Sequence, residues 1–387
     1  MNAHPHILVD ARPLVDPAGG GVQRAATQVL VQLLQDRPDA TYTFMTTGAR
    51  CHTLPEPFRS HPRVIHLHLQ WPNKLWTLAS LIGIVALDRA ATRISKQTYD
   101  AVLLCNLGFT GFIEASYALV LHDFSFRIHP SWFTRKMQLW HLMVNPDELI
   151  RRAHRLFCVS HITAMDAERF YDAPKDRCDI IRLAASTHPV HAALTPPDKG
   201  VGGFLPTSRF ILVLGVGDPR KNTATAIAAI RSLRKNPTFA DVQLVMVGEL
   251  HPNRTFSKRQ LATKDHDWIT HLPRVSDEDL HALYQRASTI LYPSWYDGFG
   301  LPLHEAAQYH TPCIASSTGS LPETAPRGTV FVHPAKPHLW TQAIRSTLES
   351  PEHHQTTPHP NASKPDIAAI LKWMDRVGTS KSPDKGI

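Results

Sequence analysis

Two carboxylates, Asp297 and Glu305, stand with seven residues between them in the segment TILYPSWYDGFGLPLHEAAQYHTPCIASSTGSLPE. An apolar run precedes the first acid, Gly298 and Gly300 flank Phe299, and Glu305 falls in the first turns of a predicted helix. The pattern reads as strand, glycine loop and helix, with both acids near the strand's C-terminal end. In open α/β sheets, ligands bind just beyond those ends, where free N–H groups and helix N-termini meet negative charge. The glycines let backbone amides approach phosphate oxygens or sugar hydroxyls closely. A carboxylate at Glu305 can accept both hydroxyls of a ribose, so the place suits a nucleoside diphosphate. The plain alternative is a solvated loop acid and an early-helix glutamate favoured by the helix dipole.

Other segments hold similar chemistry more weakly. GVGDPRKN, residues 215–222, sets Arg220 and Lys221 at another strand end; taken alone, such a pair is usually solvated surface. PAGGGVQR, residues 17–24, opens a helix with Gly20 and Gly21, but any tight strand-to-helix turn can use such a cluster. It does not match the spaced dinucleotide fingerprint and gives no case for a dehydrogenase. His122 and Asp123 end a further strand in LHDF, and Thr318 and Gly319 lie in a loop able to offer amides to phosphate. Ser160 and Glu323 rank second, because each also fits a helix cap.

Positioning these residues requires alternating strands and helices. Apolar runs recur at residues 6–10, 42–46, 64–69, 101–105, 118–121, 156–160 and 179–183, several with helical stretches between them. Such alternation implies a parallel sheet covered on both faces. Residues 195–208, TPPDKGVGGFLPTS, concentrate proline and glycine and read as an exposed connection. Beyond it the pattern restarts with FILVLGVG, a helix over about 223–234, VQLVMVGE, WITHLP, a helix over 277–286, TILYPS, a helix near 303–309 and TPCIASS. The expected class is α/β with two Rossmann-like, doubly wound domains at 1–195 and 196–350. A tail at 351–387 carries a helix over 367–377 that returns to the first domain.

With these elements in place, the chain resembles the retaining glycosyltransferase family 4. That family's pattern of two acids in E-G-F-G-L-P-x-x-E-A reads here from Asp297 to Ala306 as DGFGLPLHEA. GVGDPRKN resembles its G-x-x-x-P-R-K-N element, GGVQR its G-G-x-x-R loop, and LHDF at residues 121–124, followed by Pro130 and Phe133, its H-D-x-x-F region. The resemblance spans residues 6–350 and implies a GT-B architecture, its two domains facing a central cleft that closes on substrates. By the same resemblance, Glu305 holds the donor ribose, while Asp297 and the amides of Phe299, Gly300 and Leu301 hold the transferred sugar. Lys221 and Arg220 neutralise the diphosphate, and His122 contacts the sugar or acceptor. Gly20, Gly21, Thr318 and Gly319 give backbone to the donor. The first acid of the pattern is usually glutamate, so Asp297 reaches one methylene less. The implied reaction moves mannose, glucose or rhamnose from GDP-mannose, UDP-glucose or dTDP-rhamnose to a saccharide or lipid-linked hydroxyl acceptor in surface-polysaccharide synthesis. A nucleotide-sugar epimerase or phosphorylase on the same architecture is the other enzymatic reading.

Bulk properties narrow these classes. A net charge of +8 favours anionic partners, and phosphate-rich ligands account for it without nucleic acid, for which no reader motif is present. The five cysteines form no CxxC pair and read as reduced cytosolic thiols. The start, MNAHPHILVDARPL, predicts no secretory leader, and Leu75 to Leu87 falls short of the ~20 residues that cross a bilayer. These features predict a cytoplasmic protein. Residues 59–96 combine basic, aromatic and apolar side chains, which fits either peripheral docking on an anionic membrane or an ordinary core helix with a charged flank. No metal is expected. Asp265-His266-Asp267 precedes a strand away from the motifs, and neither His66/His68 nor His353/His354 has a third ligand at a recognisable spacing.

Overall fold

The computed structural model describes residues 4–17, 19–185, 208–249, 267–358 and 364–379. The chain divides into two compact units, residues 1–183 with 364–387 and residues 184–363. The proline- and glycine-rich connection and most of the Asp265–Asp267 triplet lie outside the described residues.

In the first unit, strands β1 (His6–Asp10), β2 (Thr41–Thr47), β3 (Val64–Leu69), β4 (Ala101–Leu104), β5 (Tyr117–Leu121), β6 (Arg155–Cys158) and β7 (Cys178–Ile180) form one sheet. Their order is β3-β2-β1-β4-β5-β6-β7, and every pairing is parallel. The crossovers carry α1 (Gly21–Asp36), α2 (Asn73–Leu81), α3 (Leu87–Ser95), α4 (Ser125–Ile128), α5 (Arg135–Val144), α6 (Pro146–Arg152) and α7 (His161–Tyr171). A parallel sheet covered on both faces buries consecutive residues, which is why Ile7, Leu8 and Val9 are an unbroken apolar run and all inaccessible.

The second unit continues with β8 (Phe210–Leu214), α8 (Thr223–Leu233), β9 (Gln243–Val247), β10 (Ile269–Leu272), α9 (Asp277–Arg286), β11 (Thr289–Tyr292) and α10 (Leu301–Ala307). It closes with β12 (Cys313–Ser316), α11 (Leu321–Thr324), β13 (Val330–Val332) and α12 (Pro337–Glu349). The sheet order is β10-β9-β8-β11-β12-β13, again all parallel. Alternation along β8 divides the core in two: Ile211 and Val213 pack with Ile227 and Trp340 on one face, and Phe210 and Leu212 with Leu283 and Leu303 on the other. Truncating one such side chain to alanine costs about 2–5 kcal/mol.

Helix α10 begins two residues before the expected start and ends two before the expected finish. Gly300 adopts a left-handed φ of 87° as its N-cap, and Pro302 lies in the first turn, where its missing N–H loses no helical bond. Strand β13 was not expected from the sequence. The tail divides: Thr357 bridges to Arg327 in the second unit, whereas α13 (Ala368–Thr379) packs on β6 through Trp373 and Phe157. Arg37 Nη1 also meets Asp375 Oδ1 at 2.6 Å.

Candidate active site

The winding of the second sheet runs β8, β9, β10 in one direction and β11, β12, β13 in the other, so it reverses between neighbours β8 and β11. The loops leaving those two strands open side by side, the place where open α/β sheets bind ligands. After β8, Gly215 turns with φ +72°, and a Cβ there would stand 3.1 Å from Lys221 Cγ, so glycine makes room for the lysine stem. Asp218 then caps a single 3-10 turn, Pro219–Lys221, accepting from Arg220 N at 2.9 Å. That turn aims Lys221 across to β11.

Lys221 Nζ donates to Asp297 Oδ2 and, at 2.5 Å, to the Tyr292 hydroxyl; Tyr292 donates to the same Asp297 oxygen at 2.6 Å. Burial opposes ionisation of Asp297, but the lysine charge and the two hydrogen bonds outweigh it and hold the carboxyl at about 2. Burial likewise works against the Lys221 ammonium, and Asp297 reverses the balance, raising it above its ordinary value. Burial and the Asp297 charge together push the Tyr292 phenol up, so it stays a neutral donor. Arg220 has its own counterion, forking onto Asp218 with Nε at 2.9 Å and Nη2 at 2.7 Å. Burial opposes the Asp218 charge, yet the adjacent Arg220 keeps that carboxyl below its usual range.

The loop after β12 is latched to this constellation. Ser320 Oγ donates to Asp297 O at 2.8 Å, Thr318 Oγ1 to Ser294 O at 3.2 Å, and Thr324 Oγ1 to Phe299 O at 2.6 Å. Gly319, at φ +61°, would put a Cβ 3.1 Å from the Asp297 backbone, so only glycine passes without displacing the acid. Phe299 stacks on His304 at 4.6 Å between ring centroids, fixing the loop at the start of α10. Glu305 is 1% exposed and accepts from the Tyr284 hydroxyl of α9 at 2.6 Å. Lys221, Arg220, Asp297, Phe299, Gly300, Thr318 and Gly319 thus share one loop cluster, and Leu301 and Glu305 follow on the adjoining helix α10.

In the first unit, the matching reversal lies between β1 and β4. A cavity of about 670 Å³ opens there, lined among others by Arg12, Gly19, Gln23, Thr47, Asn73 and Asn106. Gly20, at φ +103°, caps α1, and a Cβ at Gly20 or Gly21 would meet nothing within 4 Å. His122 follows β5 with Nε2 donating to Cys105 O at 2.9 Å, which leaves Nδ1 as the acceptor. Burial lowers its pKa against the opposing pull of that bond and of Asp123, favouring the neutral ring. Ser160 caps α7, accepting from Thr163 N at 3.1 Å, and Glu323 sits in the first turn of α11.

Sequence reasoning missed Tyr292 and Tyr284. Tyr292 ends an apolar strand and so reads as core; its signal was its place five residues before Asp297. Cys51, 15 positions before His66 and at no recognisable ligand spacing, approaches both His66 and His68. Spacing in sequence does not reveal a side chain brought over by a neighbouring strand's loop.

Fold and site define a class. Residues 197–361 match the profile of the glycosyl transferases group 1 family. Among curated proteins it is similar to the O-antigen chain mannosyltransferase B of Escherichia coli, 28% identical over 205 residues, covering 52% of this chain and 53% of that protein. It is also similar to the MMP alpha-(1->4)-mannosyltransferase of Mycolicibacterium hassiacum, 28% identical over 224 residues, covering 57% and 52%. The chain spans about half the length of these relatives. Among solved structures, sucrose-phosphate synthase from Thermosynechococcus elongatus aligns with TM-score 0.66 at 18% identity over 97% of this chain and 93% of that one. Anabaena HepE, solved with UDP and glucose, aligns with TM-score 0.59 at 15% identity over 97% and 98%. The fold is accordingly the two Rossmann-like units of GT-B glycosyltransferases.

Proposed function

We propose that this protein is a retaining hexosyltransferase that moves a sugar, mannose first among the candidates, from a nucleoside diphosphate to a saccharide or lipid-linked hydroxyl. The carrying observation is the Lys221–Tyr292–Asp297 constellation where the second sheet reverses. The names of the mannosyltransferase relatives support mannose, and the UDP held by HepE supports a nucleoside diphosphate donor. Glucose and rhamnose remain the other donors to test.

In this reading, Glu305 accepts the ribose hydroxyls, and the amides of Phe299, Gly300 and Leu301 with Asp297 orient the hexose. Lys221 and Arg220 face the diphosphate, with Gly20, Gly21, Thr318 and Gly319 supplying backbone donors. The anomeric C–O bond to phosphate breaks as the acceptor oxygen bonds to the same face of that carbon; the acceptor proton passes to the departing phosphate. Negative charge grows on the leaving diphosphate, and preorganised cations there lower the barrier without a protein nucleophile. His122, whose Nε2 is tied to Cys105 O, accepts at Nδ1 from a sugar or acceptor hydroxyl in this reading. Gln23, Asn73 and Asn106 give the first-unit cavity amides suited to a saccharide acceptor.

Among the described residues no helix is long and apolar enough to cross a membrane. Helix α2 nevertheless buries Trp76 and exposes Leu75 at 56% and Leu78 at 55%, continuing into exposed Ile82 and Ile84. With the neighbouring Lys74, this face supports peripheral docking on an anionic bilayer, where lipid-linked acceptors reside. The free cysteines support a cytoplasmic setting.

The deciding experiment incubates purified protein with GDP-mannose, UDP-glucose and dTDP-rhamnose, following nucleotide release and thermal stabilisation in wild type and Glu305→Ala. One donor giving both signals in wild type, and neither in the variant, is the expected result. Folded protein that answers to no donor and no nucleoside diphosphate overturns the reading.

A further inference from the structure

The edge of the first sheet holds a second chemical constellation. His66 and His68 are two residues apart on edge strand β3, so both rings lie on one face. The neighbouring strand β2 ends at Thr47, and the chain leaving it brings Cys51 back over that face. One nitrogen of each ring and the Cys51 sulfur lie within 4.8 Å of one another.

The surroundings fix how these atoms point. Thr46 stands opposite His68 in the register of β2 and β3, and its hydroxyl contacts His68 Nδ1 and His66 Nε2, both at 2.9 Å. His68 Nε2 meets the Gly48 carbonyl at 3.2 Å, a bond only the ring can donate, so the neutral ring carries its lone pair at Nδ1, where the Thr46 hydroxyl donates and would have to yield to a bound ion. A ring nitrogen tied to a backbone carbonyl is the usual support of a metal-binding histidine. Cys51 is exposed, whereas Cys105, Cys158 and Cys313 are buried.

We propose that Cys51, His66 and His68 form a binding site for a divalent transition metal of the zinc class. One thiolate and two imidazoles are the soft and borderline donors such ions select, and three protein ligands leave a fourth tetrahedral position for solvent. Binding releases the thiol proton to solvent. Gly48, Arg50 and His52, on either side of Cys51 or close to it, line the first-unit cavity. The metal therefore pins this wall of the cavity to the sheet edge, and it takes no part in the transfer chemistry proposed above. Thr46 orients the His66 ring through Nε2 and gives up its contact with His68 Nδ1 when the ion binds.

The test titrates untagged full-length protein, kept reduced, with cobalt(II) as the spectroscopic stand-in for zinc. One equivalent should produce a thiolate-to-cobalt charge-transfer band that zinc displaces and Cys51→Ser abolishes. His66→Ala and His68→Ala should each weaken binding at least about 10–100-fold, since losing a ligand costs no less than losing the hydrogen bond that supports one. Cys51→Ser should melt like wild type without metal, because among the described residues the exposed thiol makes only a long contact of 3.9 Å to His52 O. In wild type, zinc should also shield Cys51 from iodoacetamide, a readout that needs no variant. Absence of the band, its survival in Cys51→Ser, or unprotected alkylation at saturating zinc each overturns the proposal.

Discussion

Lys221 and Asp297, 76 positions apart, meet as a direct ion pair beyond strands β8 and β11, with the Tyr292 hydroxyl bonded to both. Their side chains are 19% and 17% exposed, so water screens the pair only partly. Each is the other's counterion, so the cation is held charged without standing uncompensated in a partly dry site. On the function proposed above, an entering donor would exchange with these contacts.

Removing one partner strands the other. Lys221→Met should destabilise the second unit by about 3 kcal/mol, because an ionised buried carboxylate loses its cation. Lys221→Met with Asp297→Asn should recover most of that stability and none of the transferase activity. Denaturant unfolding beside donor turnover checks both halves; a double variant no more stable than the single one contradicts the pairing.

The pair should leave a signature in acid. Asp297 titrates at about 2 when folded against an ordinary 3.8, so its contribution is complete above about pH 4 and is lost as pH falls towards about 2. It amounts to about 2 kcal/mol. Lys221, raised above 10.5, behaves in the opposite sense: its contribution is present below that value and fades as pH climbs through the raised one. Stability of wild type minus Asp297→Asn, followed from about pH 5 to about pH 2, should shrink by that amount.

Tyr292 offers a gentler cut. Tyr292→Phe keeps the ring and removes the hydroxyl shared by Lys221 and Asp297, so turnover should fall about tenfold to a hundredfold, the worth of a hydrogen bond to a charged group. Steady-state kinetics should show the loss mainly in kcat. Unchanged kinetics would mean that the ion pair orients itself.

Glu305 should govern affinity for the donor. Glu305→Gln retains the shape and the acceptor for Tyr284 but gives up the charge, and nucleoside diphosphate binding should weaken about tenfold or more. Tyr284→Phe, which removes one hydrogen bond from the carboxylate, should have a smaller effect in the same direction. Calorimetric titration measures both, and wild-type affinity in Glu305→Gln would remove this residue from the donor site.

Backbone geometry is as constrained as charge. At Gly300 a Cβ would lie 2.7 Å from Leu321 Cδ2, at a φ of +87°. Gly300→Ala should cost about 1–3 kcal/mol for the dihedral alone. Adding Leu321→Ala should relieve the clash but not the strain. Thermal unfolding of the two variants separates these contributions.

Local pattern carried much of this molecule. Strands such as Ile7–Val9 are legible because a parallel strand buried on both faces must be uniformly apolar. Strand β13 escaped notice because it is three residues long and buries only Val332 among them. Tyr292 and Tyr284 escaped because an aromatic inside an apolar run looks like core, and nothing local marks the hydroxyl's partner.

The sequence by itself determined the alternation of elements, the glycines where the chain must turn left-handed, and the charged residues that leave strand ends, because each depends on neighbours a few positions away. Tertiary structure decided that the β8 and β11 loops adjoin, that Lys221 answers Asp297, and that Cys51 comes to His66 and His68. Those meetings follow from sheet order and winding. Residues far apart in the chain become neighbours only when strands pair, and no spacing along the sequence records which strands will.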